Sequence, residues 1–458
     1  MQKIFLTLSL LFIVNLNCIS QVVYGQFSQL VNQEIRLEGF DGFETFLISK
    51  AKTDSDGSFA LNYNSDYKGM GFLVAADNKP FFVVLSGEDI RISGVLLSQV
   101  ESIQIVEGGQ NKSFLAYLIN QLKREQVLNA WNYLDKFYHQ DSLFSQHQKS
   151  LKAIEQEIKR LRKEEQNFLS NLPQNSYVRW FLPKRKLVSN ASVVAQYRPE
   201  EIPDTKSAFR EIDYSDERLY TSGLFKDALY NHIWFIENSS GALNQVFYDL
   251  NTSIDIIIDQ IKGDDIKFNE VTNYLFTVLE ERSLFTSAEY LAKKLLEDDD
   301  CGCLNEELKK KFQKYGEMAE GKTAPDIEFG EFTYYPENVT ADKLSEVDAD
   351  YKLVIFAAGW CPHCTEVMPK IVEYYPTLRE KNIEVIFVSL DMNSKDFASF
   401  AGSLPFISTT DFQKWNGKAV TDYQVFATPS YFMLDKELKI LKKIKSIEHL
   451  KVWVGYKS

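Results

Sequence analysis

Two closely spaced pairs of cysteines could do chemistry in this 458-residue chain, namely Cys301 with Cys303 and Cys361 with Cys364. The fifth cysteine of the chain, Cys18, lies within its first twenty residues. Close pairs indicate local redox or metal chemistry, whereas widely spaced cysteines would indicate structural cross-links. The two pairs therefore define the candidate sites.

The second pair lies between a β-type pattern and a helical pattern. Residues 352–358 form an apolar run, and apolar residues recur at helical spacing after the cysteines. This order places Cys361 at a helix N-terminus, where free backbone N–H groups and the helix dipole favour a thiolate. Because two residues separate the cysteines, one helical turn can bring the sulfurs to bonding distance. Cys364 could then attack a mixed disulfide formed on Cys361.

The six residues Gly359-Trp360-Cys361-Pro362-His363-Cys364 resemble the active-site motif of the thioredoxin superfamily. The surrounding chain is most similar to the exported TlpA/ResA-like branch, of the Bacteroidetes type with an N-terminal β domain. The resemblance covers about residues 317–458. Pro369 corresponds to the proline that kinks the active-site helix, and Thr428-Pro429 corresponds to the cis-proline that faces the dithiol.

The resemblance implies a role for each of these residues. Cys361 attacks a substrate disulfide, or donates its own, and Cys364 resolves the mixed disulfide. Pro362 and His363 complete the catalytic motif, and His363 tunes the reduction potential. The residues implied to position the partner chain are Trp360, Thr428 and Pro429. The implied chemistry needs no cofactor and no metal.

Two positions depart from the pattern of the family. Thioredoxins have a buried Asp six residues before the first cysteine, where this chain has Ile355, and the proton-handling Glu of ResA-like proteins falls at Val367. Glu366 is adjacent in sequence but about 100° further round the helix. It is therefore interpreted as a solvated side chain, with a catalytic role as the alternative.

The direction of electron flow stays open. An imidazole at His363 can stabilise the thiolate of Cys361 and hence the reduced form, which makes a dithiol a better oxidant, and DsbA-type oxidases carry the same Pro-His dipeptide. TlpA-like domains instead act mostly as reductants that are supplied by a membrane partner. We therefore expect dithiol-disulfide exchange with protein substrates and a membrane-bound redox partner.

The pair Cys301-Gly302-Cys303 is interpreted as structural or incidental, with a second redox couple or a metal site as alternatives. The acidic run 298–300 opposes thiolate formation there by like charge. An inert disulfide, or a zinc site shared between the two pairs, is the alternative for Cys361 and Cys364. Zinc sites rarely lie on a strand-to-helix turn.

The pattern of the whole chain predicts a multidomain α+β protein. We expect a signal peptide over 1–20, a small β-rich domain over 21–108, an α-helical domain over 109–316 and a thioredoxin-like α/β domain over 317–458. Short runs broken by turn formers predict β-strands at 34–38, 44–49, 58–62, 71–75, 81–85 and 89–93.

The first residues resemble a secretory signal. Lys3 precedes an apolar run over 4–14, which is shorter than the roughly 20 residues that span a bilayer. Cleavage before Gln21 or Gln26 fits, and Cys18 is an alternative site of lipid attachment. We expect export to the periplasm or cell envelope. The net charge of −13 argues against a nucleic-acid partner.

These observations predict an exported thiol-disulfide oxidoreductase. The alternative is an envelope binding or assembly protein in which the thioredoxin-like module is an interaction domain, because about two thirds of the chain lies outside that module. Metal delivery is a third hypothesis.

Overall fold

The computed structural model describes residues 20–76, 78–239, 241–297, 303–336, 339 and 341–456. They fall into two compact units, residues 20–235 and 236–456. The predicted fold class is confirmed: a β-rich N-terminal region is followed by helices and by a C-terminal thioredoxin-like α/β domain. The four predicted domain boundaries stay a prediction. Most of the predicted signal peptide, with Cys18, lies outside the described residues, as does Cys301.

The N-terminal region contains two four-stranded sheets, in the orders β4-β1-β7-β8 and β3-β2-β5-β6. Apolar side chains of both sheets form one core, with Val23 and Phe27 from the first and Ile35 and Leu37 from the second. The strands are β1 (Ser20–Phe27), β2 (Glu34–Asp41), β3 (Glu44–Lys52), β4 (Ser58–Asn64), β5 (Gly69–Val74), β6 (Phe81–Leu85), β7 (Ile90–Gly94) and β8 (Gln104–Glu107).

Ten α-helices follow this β region among the described residues. The charged second helix, for example, buries one apolar stripe, which contains Leu151, Ile154 and Leu161. The helices are α1 (Gly109–Gln140), α2 (Gln148–Asn171), α3 (Tyr177–Tyr197), α4 (Ile202–Arg210), α5 (Glu217–Tyr220), α6 (Phe225–Ser239), α7 (Leu243–Ile261), α8 (Asp265–Glu281), α9 (Phe285–Glu297) and α10 (Glu306–Gly316). In the described part of the chain, no helix is both long and apolar enough to span a membrane.

The C-terminal domain is built on a six-stranded sheet in the order β14-β13-β10-β11-β12-β9. The central strand of this sheet, β10, pairs in parallel with β11 and antiparallel with β13. The strands are β9 (Thr333–Tyr334), β10 (Tyr351–Ala357), β11 (Ile383–Ser389), β12 (Ile407–Thr410), β13 (Ser430–Asp435) and β14 (Ile440–Ile444). The helices are α11 (Pro362–Glu380), α12 (Ser394–Ala401), α13 (Lys418–Asp422) and α14 (Ile447–Tyr456).

Alternation along β10 divides the apolar core of this domain between the two faces of the sheet. Leu353 and Ile355 point to one face, where they pack in a cluster with residues of α11 and α14. Val354 and Phe356 point to the other face, toward α13. Because both faces are covered, β10 is apolar over almost its whole length, as expected for a central strand between two helical layers.

Candidate active site at the Cys361–Cys364 dithiol

The dithiol lies where β10 ends and α11 begins. Cys361 is the N-cap of α11, with extended backbone angles, and Pro362 occupies the first helical position, where its missing N–H costs nothing. The backbone N–H of Cys364 donates a hydrogen bond to Sγ of Cys361 over 3.3 Å. Both cysteines are free thiols, with 7% and 1% of their surface exposed. The helix start therefore brings the two predicted cysteines together.

The Thr428-Pro429 segment lies against the first cysteine, although 67 residues separate Cys361 from Thr428. The thiol of Cys361 donates to the carbonyl oxygen of Thr428 over 3.5 Å. The Thr428–Pro429 peptide bond is cis, as the resemblance implies. Pro429 directly precedes β13, which pairs with β10. The pairing of β13 with β10 therefore places the Thr428-Pro429 segment next to the dithiol.

Burial, together with the hydrogen bond to Cys361, raises the pKa of the Cys364 thiol to about 12. The nearby Tyr431 on β13 is also buried, and burial raises the pKa of its phenol. A thiol with such a pKa stays protonated at neutral pH. Cys364 is therefore held as a thiol next to Cys361, whose sulfur receives an N–H donor at a helix N-terminus.

The two positions where relatives carry a carboxylate are apolar in the structure as well. Ile355 and Val367 are buried in the same cluster as the two cysteines. Glu366 is exposed and forms an ion pair with Lys370 over 3.0 Å, and this neighbour holds the pKa of Glu366 below its usual range. The described geometry favours the solvated interpretation of Glu366.

A buried carboxylate that sequence reasoning missed fixes the turn before the dithiol. Asp391 is fully buried just after β11, and its Oδ1 accepts the backbone N–H of Gly359 over 3.0 Å. Its Oδ2 accepts the hydroxyl of Ser389 over 2.7 Å. The indole of Trp360 donates to the carbonyl oxygen of Leu390 over 3.2 Å. The sequence signal that could have identified Asp391 is its place just after the apolar strand β11, which runs parallel to β10.

Two further residues outside the predicted set lie on Trp360. The ammonium of Lys414 lies 4.8 Å from the centre of the Trp360 ring, and the ring of Trp415 meets it edge to face at 6.1 Å. Trp360 itself is 43% exposed. His363 is also exposed, in the first turn of α11. The rim of the dithiol thus combines two indoles, an imidazole and an ammonium group.

Cys303 lies apart in sequence, in the connection between α9 and α10, and it is disulfide-bonded. Its partner lies outside the described residues. Its carbonyl oxygen accepts the side-chain amide of Asn269, and its Sγ lies 3.8 Å from the carbonyl oxygen of Lys262. The structural interpretation of the pair with Cys301, and its alternatives of a second redox couple or a metal site, stay predictions.

Three side chains on α1 and α2 lie close enough together to hold a metal ion. Their ligand atoms, in Asp135, His139 and Glu155, are all within 4.8 Å of one another. His139 lies 3.7 Å from Asp135 and 3.8 Å from Glu155. We assign no ion to this surface cluster.

The fold and the dithiol define a thioredoxin-like domain. Residues 319–451 match the Redoxin family. The ResA thiol-disulfide oxidoreductase of Bacillus cereus is 27% identical over 136 residues, which cover 29% of this chain and 74% of that protein. Tryparedoxin of Trypanosoma brucei brucei is 37% identical over 54 residues, 12% of this chain and 38% of that protein.

A solved thioredoxin-like protein from Bacteroides caccae aligns over 63% of this chain and 97% of its own, with a TM-score of 0.40 and 16% identity. The C-terminal part of the chain is a Redoxin domain of the thioredoxin superfamily, consistent with the TlpA/ResA-like group. Its curated relatives include thiol-disulfide oxidoreductases of the ResA type.

Proposed function

We propose that the protein is an exported thiol-disulfide oxidoreductase whose Cys361-Pro362-His363-Cys364 motif exchanges disulfides with protein substrates. The observation that carries this proposal is the unequal pair of thiols. Cys361 has a backbone N–H donor on its sulfur at a helix N-terminus, and Cys364 is held protonated beside it. This arrangement suits one cysteine to attack and the other to resolve.

In the reducing direction, the thiolate of Cys361 attacks a substrate disulfide, forms a mixed disulfide and releases one substrate thiolate. Cys364 then loses its proton and attacks the sulfur of Cys361, so the second substrate thiol leaves and a Cys361–Cys364 disulfide remains. Two electrons have passed to the substrate, and a membrane-bound dithiol donor restores the reduced pair. The oxidising direction reverses these steps. Trp360, Thr428 and Pro429 position the partner chain.

Export rests on the apolar run over 4–14 that follows Lys3. Cleavage before Gln26 would remove six of the eight residues of β1, which is paired with β4 and β7. Cleavage before Gln21 would leave the strand almost complete. The structure of β1 therefore favours the earlier site, and we place the mature protein in the periplasm or cell envelope, with lipid attachment at Cys18 as the alternative.

The first test is the reduction potential of the Cys361–Cys364 couple, measured on the full chain in glutathione buffers. A value near about −120 mV indicates an oxidase, and one near about −270 mV indicates a reductase. A chain with both cysteines replaced by serine is the control. No exchange with glutathione in the wild-type chain would contradict the proposal.

His363 determines the direction in this proposal. Replacing His363 with Ala removes a group that can stabilise the thiolate of Cys361, so the couple becomes more reducing, by about 20 mV for an exposed pair worth about 1 kcal/mol. An unchanged potential in His363→Ala would mean that the imidazole does not tune the couple.

The alternative function is an envelope binding or assembly protein. It is supported by the two sheets and ten helices that precede the Redoxin domain. Replacing Cys361 and Cys364 together with serine separates the two functions, because an assembly protein keeps its cellular phenotype after this change and an oxidoreductase loses it.

A further inference from the structure

The loop between β12 and α13 is built to hold a cation over the tryptophan that precedes Cys361. Lys414 and Phe412 both have left-handed backbone angles, with φ of 53° and 57°. Side-chain-bearing residues adopt this region rarely because it is strained for them, and such positions concentrate at functional sites. The surrounding contacts must therefore impose the conformation.

Those contacts anchor the loop at both ends. The two carboxylate oxygens of Asp411 accept the backbone N–H groups of Gln413 and Lys418 over 2.9 and 3.1 Å. The ring of Phe412 packs on Phe332 at 4.8 Å and on Phe397 at 6.2 Å. The loop is thus fixed by the carboxylate of Asp411 and by aromatic packing on Phe412.

The hydroxyl of Thr410 joins the same loop to the strand beside the active site. It donates to the carbonyl oxygen of Ser389 over 3.1 Å and accepts the backbone N–H of Phe412 over 3.2 Å. Ser389 ends β11 and binds the buried Asp391. Lys414 and Trp415 are therefore held in a fixed position relative to Trp360, as a recognition surface requires.

The ammonium of Lys414 has no counter-charge within the part of the chain described here: no carboxylate oxygen lies within 4.0 Å of its Nζ. Three carboxylates of the same domain are engaged elsewhere. The buried Asp391 accepts hydrogen bonds from Gly359 and Ser389. Asp411 accepts hydrogen bonds from backbone N–H groups, and Glu366 forms an ion pair with Lys370. An uncompensated cation beside two exposed indoles is complementary to an acidic, partly apolar segment.

We infer that Lys414, Trp360 and Trp415 form a docking surface for protein substrates that carry Asp or Glu beside their reactive cysteine. The inference rests on the proposed function, since it names the substrate class of the same dithiol. The indoles pack on an apolar side chain of the substrate, and the ammonium attracts the acidic one. Lys414 is a specificity residue and takes no part in the exchange of sulfur bonds.

The test uses two short peptides, each a dimer joined by one disulfide, with Asp or Lys flanking the cysteine. The rate of cleavage by the reduced full chain is measured and divided by the rate with dithiothreitol, which corrects for intrinsic reactivity. We expect the acidic peptide to react about two- to five-fold faster, as for an exposed ion pair. This preference should fall as salt shortens the screening length.

The decisive variant is Lys414→Glu, which should reverse the preference, and Lys414→Gln should abolish it. The matched control is Lys436→Glu, which makes the same charge change in the turn after β13. Lys436 lies about 20 Å along that strand from Pro429. The control should keep the wild-type preference.

Other outcomes separate this inference from the proposed function. If both peptides react equally with the wild-type chain, or if Lys414→Glu changes both rates by the same factor, the docking surface is wrong while the oxidoreductase stands. If neither peptide is cleaved and glutathione does not exchange, the proposed function itself fails.

Discussion

The backbone N–H of Cys364 donates a hydrogen bond to the sulfur of Cys361 over 3.3 Å, while burial raises the pKa of the Cys364 thiol to about 12. The two sulfurs of the pair therefore lie in opposite electrostatic environments within one helical turn. A donor on the first sulfur stabilises negative charge there, and loss of water destabilises charge on the second.

This difference predicts which thiol reacts with an alkylating agent. At pH 7, iodoacetamide should modify Cys361 more than about tenfold faster than Cys364, because only a thiolate attacks and Cys364 stays protonated. Mass spectrometry of the labelled chain measures both sites. Cys361→Ser should lose the fast adduct and Cys364→Ser should keep it, and equal labelling of both cysteines would contradict the asymmetry.

Asp391 is predicted to position the turn that carries Trp360 and Cys361. Asp391→Ala leaves the N–H of Gly359 without its acceptor in a partly buried place, so the free energy of unfolding should fall by about 1–3 kcal/mol. The exchange rate should fall as well, because the turn loses its anchor.

Asp391→Asn keeps an acceptor oxygen and should restore most of the exchange rate. The exposed Asp348→Ala serves as control and should change neither the rate nor the urea midpoint. Equal exchange rates in wild type and Asp391→Ala would show that this carboxylate has only a structural role.

We predict that the pH dependence of the exchange rate contains no carboxylate step, because Val367 occupies the position where ResA-like relatives carry a glutamate. Val367→Glu places a carboxyl three residues after Cys364, on the same face of α11, where burial raises its pKa toward neutrality. We expect a new inflection between about pH 5 and 7 in the rate profile and a loss of about 1–3 kcal/mol in unfolding free energy.

The control variant for Val367→Glu is Glu366→Gln, which alters an exposed carboxylate beside the same face of α11. Its rate profile should overlay that of the wild-type chain. If the wild-type profile already contains a carboxylate step that Glu366→Gln removes, then Glu366 handles protons after all.

Glu280 on α8 is predicted to make the stability of its compact unit depend on pH. Burial raises its pKa to about 7, against the opposing effects of Lys443 and of a hydrogen bond from Tyr315. The folded protein therefore retains this proton at pH values where the unfolded chain, with a pKa near 4.5, has released it. The contribution of Glu280 to the free energy of unfolding is fully present below about pH 4.5 and is lost as the pH rises through about 7.

Urea unfolding of the full chain at pH 5 and pH 8 measures this effect. Glu280→Gln should reduce the difference in unfolding free energy between the two pH values by up to about 3 kcal/mol. The exposed neighbour Glu281→Gln should leave that difference as in wild type. A pH dependence that is unchanged in Glu280→Gln would mean that this carboxyl is ionised in the folded protein.

Local patterns predicted much of the fold. The six expected strands between residues 34 and 93 correspond to β2 to β7, because turn formers separate their apolar runs. The strands β1 and β8 were missed. The dithiol and its helix could be named from local spacing, and the Thr428-Pro429 segment could be named from the family resemblance.

The sequence by itself determined the two thiols and their order, since the strand-to-helix step at Cys361 depends on neighbouring residues alone. Only the tertiary structure decided what surrounds them. Asp391, Lys414 and Trp415 reach the active site through the pairing of β10 with β11 and of β11 with β12. Such contacts join residues 30 or more positions apart, and no local spacing encodes them, because the packing of both faces of the sheet fixes which strand ends meet.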